Sequence, residues 1–239
     1  MPKFFREGFS DNDPAIYGAD ADHISKSLRM QKGEILTVGD LCGRVFECRI
    51  TAIEAGRVSL EILSCAPDVS EPDVSVTLFQ CMPKGDKLET VIQKAVELGV
   101  ARIVPVLSSR CISRPDGKSF EKKLVRLNRI AAEAAVQSGR GSIPEVASPL
   151  SLKEAVAQLS DFDSALFFYE GGGAPIGELI KGKRIAVVIG PEGGFSADEV
   201  KLATDNGAFA ASLGPRILRT ETAPLAALSA IMYLTGNLQ

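Results

Sequence analysis

The sequence predicts an α/β protein in two domains, a β-rich domain over residues 1–70 and a strand–helix domain over residues 74–239. Runs rich in β-branched residues, separated by glycine turns, fill the first part, and apolar strands alternate with amphipathic helices in the second. Between them lies APDVSEPD (66–73), whose two prolines and three acids are typical of a linker. Alternation of this kind predicts a largely parallel sheet in the second domain.

The first domain contains three predicted strands and one short helix. The strands are EILTVGD (34–40), RVFECRITAI (44–53) and RVSLEIL (57–63), with turns at Gly39 and Gly56 between them. The helix is predicted within ADHISKSLRM (21–30).

The second domain is predicted to alternate strands and helices along its whole length. The strands are SVTLFQCM (75–82), RIVPVL (102–107), SALFFYE (164–170), RIAVVIG (184–190) and AFAASL (208–213). The helices are Asp86 to Gly99, about 120–137, a helix opened by Ser151, another opened by Ser196, and about 220–234. Three of these helices are predicted to begin with capping boxes, at Asp86/Glu89, Ser151/Glu154 and Ser196/Glu199.

The composition excludes several classes of protein. Hydrophobic residues make up 45% and charged residues 24%, as in an ordinary soluble domain, and no apolar run reaches the roughly 20 residues that span a bilayer. The N-terminus MPKFFREGFS lacks the apolar stretch of a signal peptide. The five cysteines form no CxxC pair and His23 is the single histidine, so we expect a cytoplasmic protein without a metal site.

The distribution of charge is more informative than its sum. The net charge of −3 argues against a nucleic-acid binder, but the stretch from Arg110 to Arg140 is locally basic. Its eight basic residues are Arg110, Arg114, Lys118, Lys122, Lys123, Arg126, Arg129 and Arg140, against the three acids Asp116, Glu121 and Glu133. This excess could meet RNA phosphates, and a solvated helix face is the alternative interpretation.

Two glycine-rich loops follow predicted strands, YEGGGAP (169–175) and IGPEGGF (189–195). Neither is a nucleotide-phosphate loop, because no GxGxxG occurs. The near match to a Walker pattern, 177–183, leads into a strand and is followed by Arg184 where Ser or Thr is required. The helix after IGPEGGF carries its own capping box, which disfavours an anion there. Bare glycine backbone would suit a flat ligand such as an adenosyl group without phosphates, and a tight structural turn is the alternative.

The stretch LGPRILRTETA (213–223) has two arginines just before a predicted helix. The positive end of a helix disfavours cations, so Arg216 and Arg219 either face solvent or face something negative.

These motifs together resemble a known family. IGPEGGFSADEV (189–200) and LGPRILRTETAPLAAL (213–228) are similar to the two C-terminal cofactor motifs of SPOUT-class methyltransferases, specifically the bacterial 16S ribosomal RNA uridine-N3 methyltransferases of the RsmE type. Further matching stretches, in chain order, are HISKSLRMQKGE (23–34), KGDKLETVIQKAVELGV (84–100), RIVPVLSSRC (102–111) and RIAAEAAVQSGRGSIPEV (129–146). The resemblance therefore covers nearly the whole chain.

The resemblance implies a PUA-like RNA-binding β-barrel followed by an α/β domain with a C-terminal deep trefoil knot. It implies a homodimer with its active site at the subunit interface, and S-adenosylmethionine as the cofactor held in the knot. The implied reaction is methylation of N3 of one uridine in the decoding region of 16S rRNA. The assembled 30S subunit is the expected substrate, and naked rRNA stays open as the alternative.

The resemblance also assigns expected roles to individual residues. The cofactor would be held by Tyr169, Gly190, Pro191, Glu192, Gly193, Gly194, Leu213, Gly214, Leu218 and Thr222. Catalysis is expected from Arg219, which would face the uracil anion or an RNA phosphate, from Glu221, and from Arg140 of the partner subunit. Glu221 would orient Arg219 or act as a base, its alternative being a dipole partner at the helix start, and helix-surface pairing is the alternative for Arg140. RNA contacts are expected from Lys84, Arg110, Arg114 and Arg29.

Other functions remain open at this point. Ribose 2′-O methylation would use the same cofactor pocket, an RNA-binding module without catalysis would use the loops only structurally, and an NTPase is disfavoured by the loop chemistry.

Overall fold

The computed structural model describes residues 1–114 and 117–238, and only the backbone of residues 117–119. Of the charged residues counted above, Asp116 and the side chain of Lys118 lie outside this description. The chain forms two compact units. The first consists of Met1–Glu71 and Ala135–Ile143, and the second of Pro72–Ala134 and Pro144–Gln239.

The first unit is built on a five-stranded sheet. Its elements are β1 Lys3–Phe5, β2 Ala15–Tyr17, helix α1 Gly18–Asp22, a π-helical turn His23–Ser27, β3 Ile35–Gly39, β4 Arg44–Glu54 and β5 Arg57–Pro67. The strand order is β1-β3-β4-β5-β2, with β1 parallel to β3 and the other pairs antiparallel. Alternate residues of β4, namely Phe46, Cys48 and Ile50, are buried in one hydrophobic core.

The three strands predicted for this unit are confirmed, and β5 continues to Pro67. The predicted helix is replaced by α1, which begins at Gly18, and the π-helical turn that follows it. The first part of the predicted linker belongs to this unit, because Ala66 and Pro67 end β5 and Lys3 Nζ donates to Asp68 at 2.8 Å. Strands β1 and β2 were not predicted, since three residues are too few to show a period.

The second unit contains eight strands in one sheet and the remaining helices. The strands are β6 Ser75–Cys81, β7 Arg102–Leu107, β8 Glu145–Val146, β9 Leu150–Ser151, β10 Ser164–Phe168, β11 Ala174–Pro175, β12 Arg184–Ile189 and β13 Phe209–Ser212. The helices are α2 Lys87–Glu97, α3 Gly117–Gln137, α4 Leu152–Ala157, α5 Ile176–Leu179, α6 Ala197–Asp205 and α7 Ala223–Leu234, with a 3-10 turn at Leu159–Asp161. The last three residues of α3, 135–137, belong to the first unit.

The prediction of a largely parallel sheet is confirmed. All described pairings in it are parallel, and the order is β11-β13-β10-β12-β6-β7-β8, with β9 beside β7. Residues 164–168 of β10 are all buried, as expected for a strand covered on both faces. The carboxyl ends of β10, β12 and β13 therefore meet at one edge of the sheet.

Two of the three predicted capping boxes are confirmed, at Ser151 and at Ser196. The box predicted at Asp86 is wrong, because its side chain makes no capping hydrogen bond. Glu89, the expected partner, instead accepts a hydrogen bond from Arg126 at 2.8 Å. An ion pair thus replaces the local cap at the start of α2.

The last helix begins later than predicted. It starts at Ala223 with Pro224 in its first turn, and Thr222 rather than Thr220 is its N-cap. The arginines of LGPRILRTETA therefore lie in the loop before the helix and not in its first turn.

None of the described helices is long and apolar enough to cross a membrane. Within residues 1–114 and 117–238, no group of three His, Cys, Asp or Glu side chains is arranged to hold a metal ion.

Candidate active site

A cavity of about 940 Å³ lies in the second unit, at the edge where β10, β12 and β13 end. It is lined by residues 168–173, 189–195 and 211–220, each following or ending one of these strands, and by Lys87 and Ala223. The carboxyl edge of a parallel sheet is the usual place for a ligand, because the loops converge there. The two glycine loops and LGPRILRT are thereby brought together.

The 189–195 loop is shaped by close packing. Gly194 has φ of +64°, and a Cβ added there would lie 2.5 Å from Glu170 Oε2 of the neighbouring loop. Phe195 stacks on Phe167 with ring centroids 4.3 Å apart. The Arg110 guanidinium donates to the Gly193 carbonyl at 2.8 Å. The loop is therefore fixed from three sides, with its backbone facing the cavity.

Thr220 joins this loop to the segment before α7. Its hydroxyl donates to the Gly190 carbonyl at 2.7 Å and accepts a hydrogen bond from Gln80 Nε2 at 3.1 Å. Gln80 is fully buried at the end of β6 and also donates to the Cys81 carbonyl at 3.0 Å. Two cavity walls are thus connected by one buried hydroxyl.

Lys87 lies between two carboxylates at the cavity. Its Nζ is 3.2 Å from Glu192 Oε1 and 3.1 Å from Glu221 Oε2. The backbone N–H of Lys84 also donates to Glu192 Oε1 at 3.1 Å. Burial alone would raise the pKa of Glu192 and of Glu221, but the hydrogen bonds to each group and the Lys87 ammonium lower both pKa values below their ordinary range. Both carboxylates are consequently ionised at neutral pH.

Arg219 and Arg216 line the cavity with exposed side chains. Neither guanidinium makes a hydrogen bond or ion pair with the described part of the chain, although the charge of Arg219 contributes to lowering the pKa of Glu221. Two cations without protein partners in a cleft are suited to an anionic ligand.

The structure collects most of the predicted cofactor residues around this cavity. Tyr169, Gly190, Pro191, Glu192, Gly193, Gly194, Leu213, Gly214 and Leu218 all line it. Thr222 does not, because it is the exposed N-cap of α7. Among the predicted catalytic residues, Arg219 lines the cavity. Glu221 does not line it but is paired with Lys87, which does.

Arg140 occupies a different environment from the one expected. It lies in the first unit, 4% exposed, and its Nε and Nη2 donate to Glu71 at 3.1 and 2.6 Å. The Glu71 carboxylate also accepts hydrogen bonds from Gly141 and Ser142. A buried ion pair with this many bonds fixes the Arg140 side chain within its own unit.

The predicted RNA contacts divide into two groups. Lys84 and Arg110 have exposed side chains beside the cavity loops, and Arg29 is exposed in the first unit with φ of 53°. Arg114 is instead engaged with its own loop, because it donates to the carbonyls of Ser108, Ser109 and Cys111. It shapes the loop that carries Arg110.

The sequence interpretation missed Lys87 and Gln80. Gln80 left a signal, since it is the polar residue in an otherwise apolar run at the end of a strand. Lys87 left none, because its two partners lie 105 and 134 residues further along the chain, at Glu192 and Glu221.

Comparison with known proteins agrees with this arrangement. The family model of an RNA methyltransferase domain matches residues 70–232, and that of an RNA methyltransferase PUA domain matches residues 16–63. The chain therefore contains the two domains of an RNA methyltransferase. The chain belongs to the ribosomal RNA small subunit methyltransferase E family, which confirms the resemblance found in the motifs.

Relatives and solved structures match over most of their length. The chain is 36% identical to ribosomal RNA small subunit methyltransferase E of Bacillus subtilis, covering 94% of this chain and 91% of that protein. The enzyme of that name from Neisseria gonorrhoeae, solved bound to S-adenosyl methionine, is 34% identical with a TM-score of 0.88, covering 98% of each chain. A methyltransferase-like protein of Legionella pneumophila, solved with the same cofactor, is 31% identical with a TM-score of 0.86, covering 98% of this chain and 97% of its own.

Proposed function

We propose that this protein is an S-adenosylmethionine-dependent methyltransferase that methylates N3 of a specific uridine in the decoding region of 16S rRNA. The observation that carries the proposal is the glycine-lined cavity with the unpaired Arg219 at its wall, in a chain of this family. Relatives of similar fold are described with S-adenosylmethionine bound.

The residues present fit this cofactor. A Cβ added at Gly172 or Gly214 would meet nothing within 4 Å, so their backbone faces open space and a planar group can approach it. Leu213 and Leu218 add apolar walls from the third loop. These segments would hold the adenosyl part, and Glu192, fixed by Lys84 and Lys87, would maintain the loop around it. When bound, the cofactor supplies an electrophilic methyl group on a sulfonium.

Arg219 is the residue that would activate the acceptor. Uracil N3 carries a proton and is a poor nucleophile until that proton leaves, after which negative charge spreads over both carbonyl oxygens. A guanidinium at this position stabilises the developing anion, and it is available because it makes no hydrogen bond or ion pair within the described part of the chain.

Glu221 is poorly suited to be the base. A general base works best with a pKa near the working pH, and the pKa of this carboxyl is lowered because its hydrogen bonds and the charges of Lys87 and Arg219 outweigh burial. We therefore propose that the N3 proton of uracil leaves to solvent, and that the charge of Arg219 lowers the pKa of this N–H group. For Arg140, its ion pair with Glu71 favours a structural role over the catalytic one expected from the sequence.

RNA would be bound by both units. In the second unit Lys84 and Arg110 are the candidate phosphate contacts, with Arg114 holding the loop that presents Arg110. In the first unit, matched by the PUA model, Arg29 is the candidate contact. We propose the 16S rRNA of the assembled 30S subunit as the substrate.

We further propose a cytoplasmic homodimer whose second unit carries a deep trefoil knot. The knot rests on the resemblance of IGPEGGFSADEV and LGPRILRTETAPLAAL to the cofactor motifs of SPOUT-class methyltransferases. The dimer is supported by α7, whose residues Tyr233 and Leu234 are 62% and 52% exposed on an apolar helix. Sedimentation of the purified protein would distinguish a dimer from a monomer.

The proposed function is tested by methyl transfer from labelled S-adenosylmethionine to 30S subunits isolated without this methyl group. Primer extension then locates the product, because an N3 methyl blocks the Watson–Crick edge and stops reverse transcriptase. We expect one stop in the decoding region, absent with Arg219→Ala. Label without a stop would indicate ribose methylation instead, and no label would contradict the proposed substrate.

A further inference from the structure

Lys87 occupies a position that local electrostatics does not favour. It is the first residue of α2, where the helix dipole is positive and a cation is disfavoured. Its ammonium nevertheless lies 3.2 Å from Glu192 and 3.1 Å from Glu221, with its side chain 33% exposed. The attraction to two ionised carboxylates offsets the unfavourable helix end, and this places the cation at the cavity wall.

Glu221 has a second cation close to it in sequence. Arg219 is two residues away, and its charge is the smallest of the contributions that lower the pKa of that carboxyl. Yet the Glu221 carboxylate is paired with Lys87, and the guanidinium of Arg219 has no hydrogen-bond or ion-pair partner in the described chain. Without Lys87, we would expect the Arg219 guanidinium to pair with the Glu221 carboxylate, since such pairs are often bidentate.

We propose that Lys87 is a positioning residue that occupies Glu221 and Glu192 and so keeps the Arg219 guanidinium unpaired for the anionic acceptor. This inference rests on the proposed function, since the acceptor is the uracil anion. Lys87 itself touches neither methyl donor nor acceptor in this scheme. Its effect on catalysis passes through Glu221, and that dependence is the feature to be tested.

The test is a double-mutant cycle on kcat/KM for 30S methylation. Lys87→Met releases Glu221 to pair with Arg219, so we expect a loss of roughly three- to fivefold, the population shift that one partly exposed ion pair can produce. Glu221→Gln in the same chain removes the competing carboxylate, so the double variant should recover to within about twofold of Glu221→Gln alone. Lys87→Arg, which keeps the cation, should retain most of the activity.

The matched control is Lys201→Met, which removes a lysine paired with Asp205 at 2.7 Å on the exposed face of α6, outside the cavity lining. It should leave kcat/KM unchanged. If the loss of kcat/KM in the double variant equals the product of the losses in Lys87→Met and Glu221→Gln, Lys87 acts independently of Glu221 and the proposal is overturned.

A crystal structure of the Lys87→Met protein gives a readout that needs no activity. We expect Arg219 and Glu221 to lie within 4 Å of each other in it, and an unpaired Arg219 would refute the inference. If the unchanged protein methylates no 30S subunit, the proposed function fails, while this structure still decides whether Lys87 keeps the arginine free.

Discussion

Replacing Thr220 by Val removes one buried hydroxyl and little else. The two side chains have nearly the same shape, and Thr220 is 6% exposed. The hydroxyl donates to the Gly190 carbonyl at 2.7 Å and accepts from Gln80 at 3.1 Å, so the change breaks both bonds. Gln80 keeps its hydrogen bond to the Cys81 carbonyl, which limits the loss on that side.

The expected size follows from these contacts. Leaving a buried polar group without its partner costs about 1–3 kcal/mol, and we take about 2 kcal/mol for the Gly190 carbonyl and the weakened Gln80 amide together. For a chain of 239 residues, this corresponds to a fall in Tm of roughly 4–8 °C. Because Gly190 begins the glycine loop of the cavity, cofactor affinity should fall as well.

The assay is thermal unfolding without cofactor, followed by calorimetric titration of S-adenosylmethionine. Thr222→Val is the matched control for stability, since Thr222 is exposed and its side chain makes no capping hydrogen bond. Its Tm should stay within about 1–2 °C of the unchanged protein, as for other surface substitutions. Equal Tm values for the two variants would refute the argument that Thr220 connects the two cavity walls.

Three further changes test the rest of the site and the first unit. Arg219→Ala should leave cofactor affinity nearly unchanged in calorimetry while turnover falls roughly a hundredfold or more, and unchanged turnover would remove Arg219 from the mechanism. Gly193→Val should strongly weaken cofactor binding, because a Cβ added there would lie 3.2 Å from Arg110 Cβ and the larger side chain would displace the residue that holds the loop; normal affinity would show that the loop does not belong to the cofactor site. Arg140→Met should destabilise the protein by about 3 kcal/mol, because the Glu71 carboxylate loses its buried partner. Burial alone would raise the pKa of Glu71, but Arg140 outweighs burial and lowers this pKa. The ion pair therefore stabilises the fold at neutral pH, and this stabilisation is lost as the pH falls below about 4.3. Urea titrations should show that the free energy of unfolding falls less on acidification in the variant than in the unchanged protein.

The central strands β6, β10 and β12 of the second unit could be predicted because they are apolar runs buried on both faces. A run such as RIAVVIG has no other stable place than the middle of a sheet, and β12 indeed occupies Arg184–Ile189. The capping boxes at Ser151 and Ser196 were equally local. At Asp86 the same pattern failed, because Arg126, 37 residues from Glu89, took the carboxylate that the box required.

The site was predictable only where its residues lie in contiguous motifs. The glycine loops and LGPRILRT could be assigned because each is a continuous stretch with a recognisable sequence. Gln80 and Lys87 belong to the site through contacts more than 100 residues away in sequence, and no local pattern encodes such a contact. Arg140 shows a second limit of this kind of prediction. It belongs to a recognisable motif, but its ion-pair partner Glu71 is distant in sequence, so the motif does not reveal that Arg140 is buried.

The arginines of LGPRILRTETA raise an electrostatic question, because the positive end of a helix disfavours cations. Because α7 begins only at Ala223, Arg216 and Arg219 lie in the loop before the helix, where they line the cavity. The cation that does stand at a positive helix end is Lys87, and there two carboxylates from distant loops offset the cost. A lysine in an unfavourable position with two acidic partners, beside an arginine with no hydrogen-bond or ion-pair partner among the described residues, is the arrangement expected when the arginine is reserved for a negatively charged ligand.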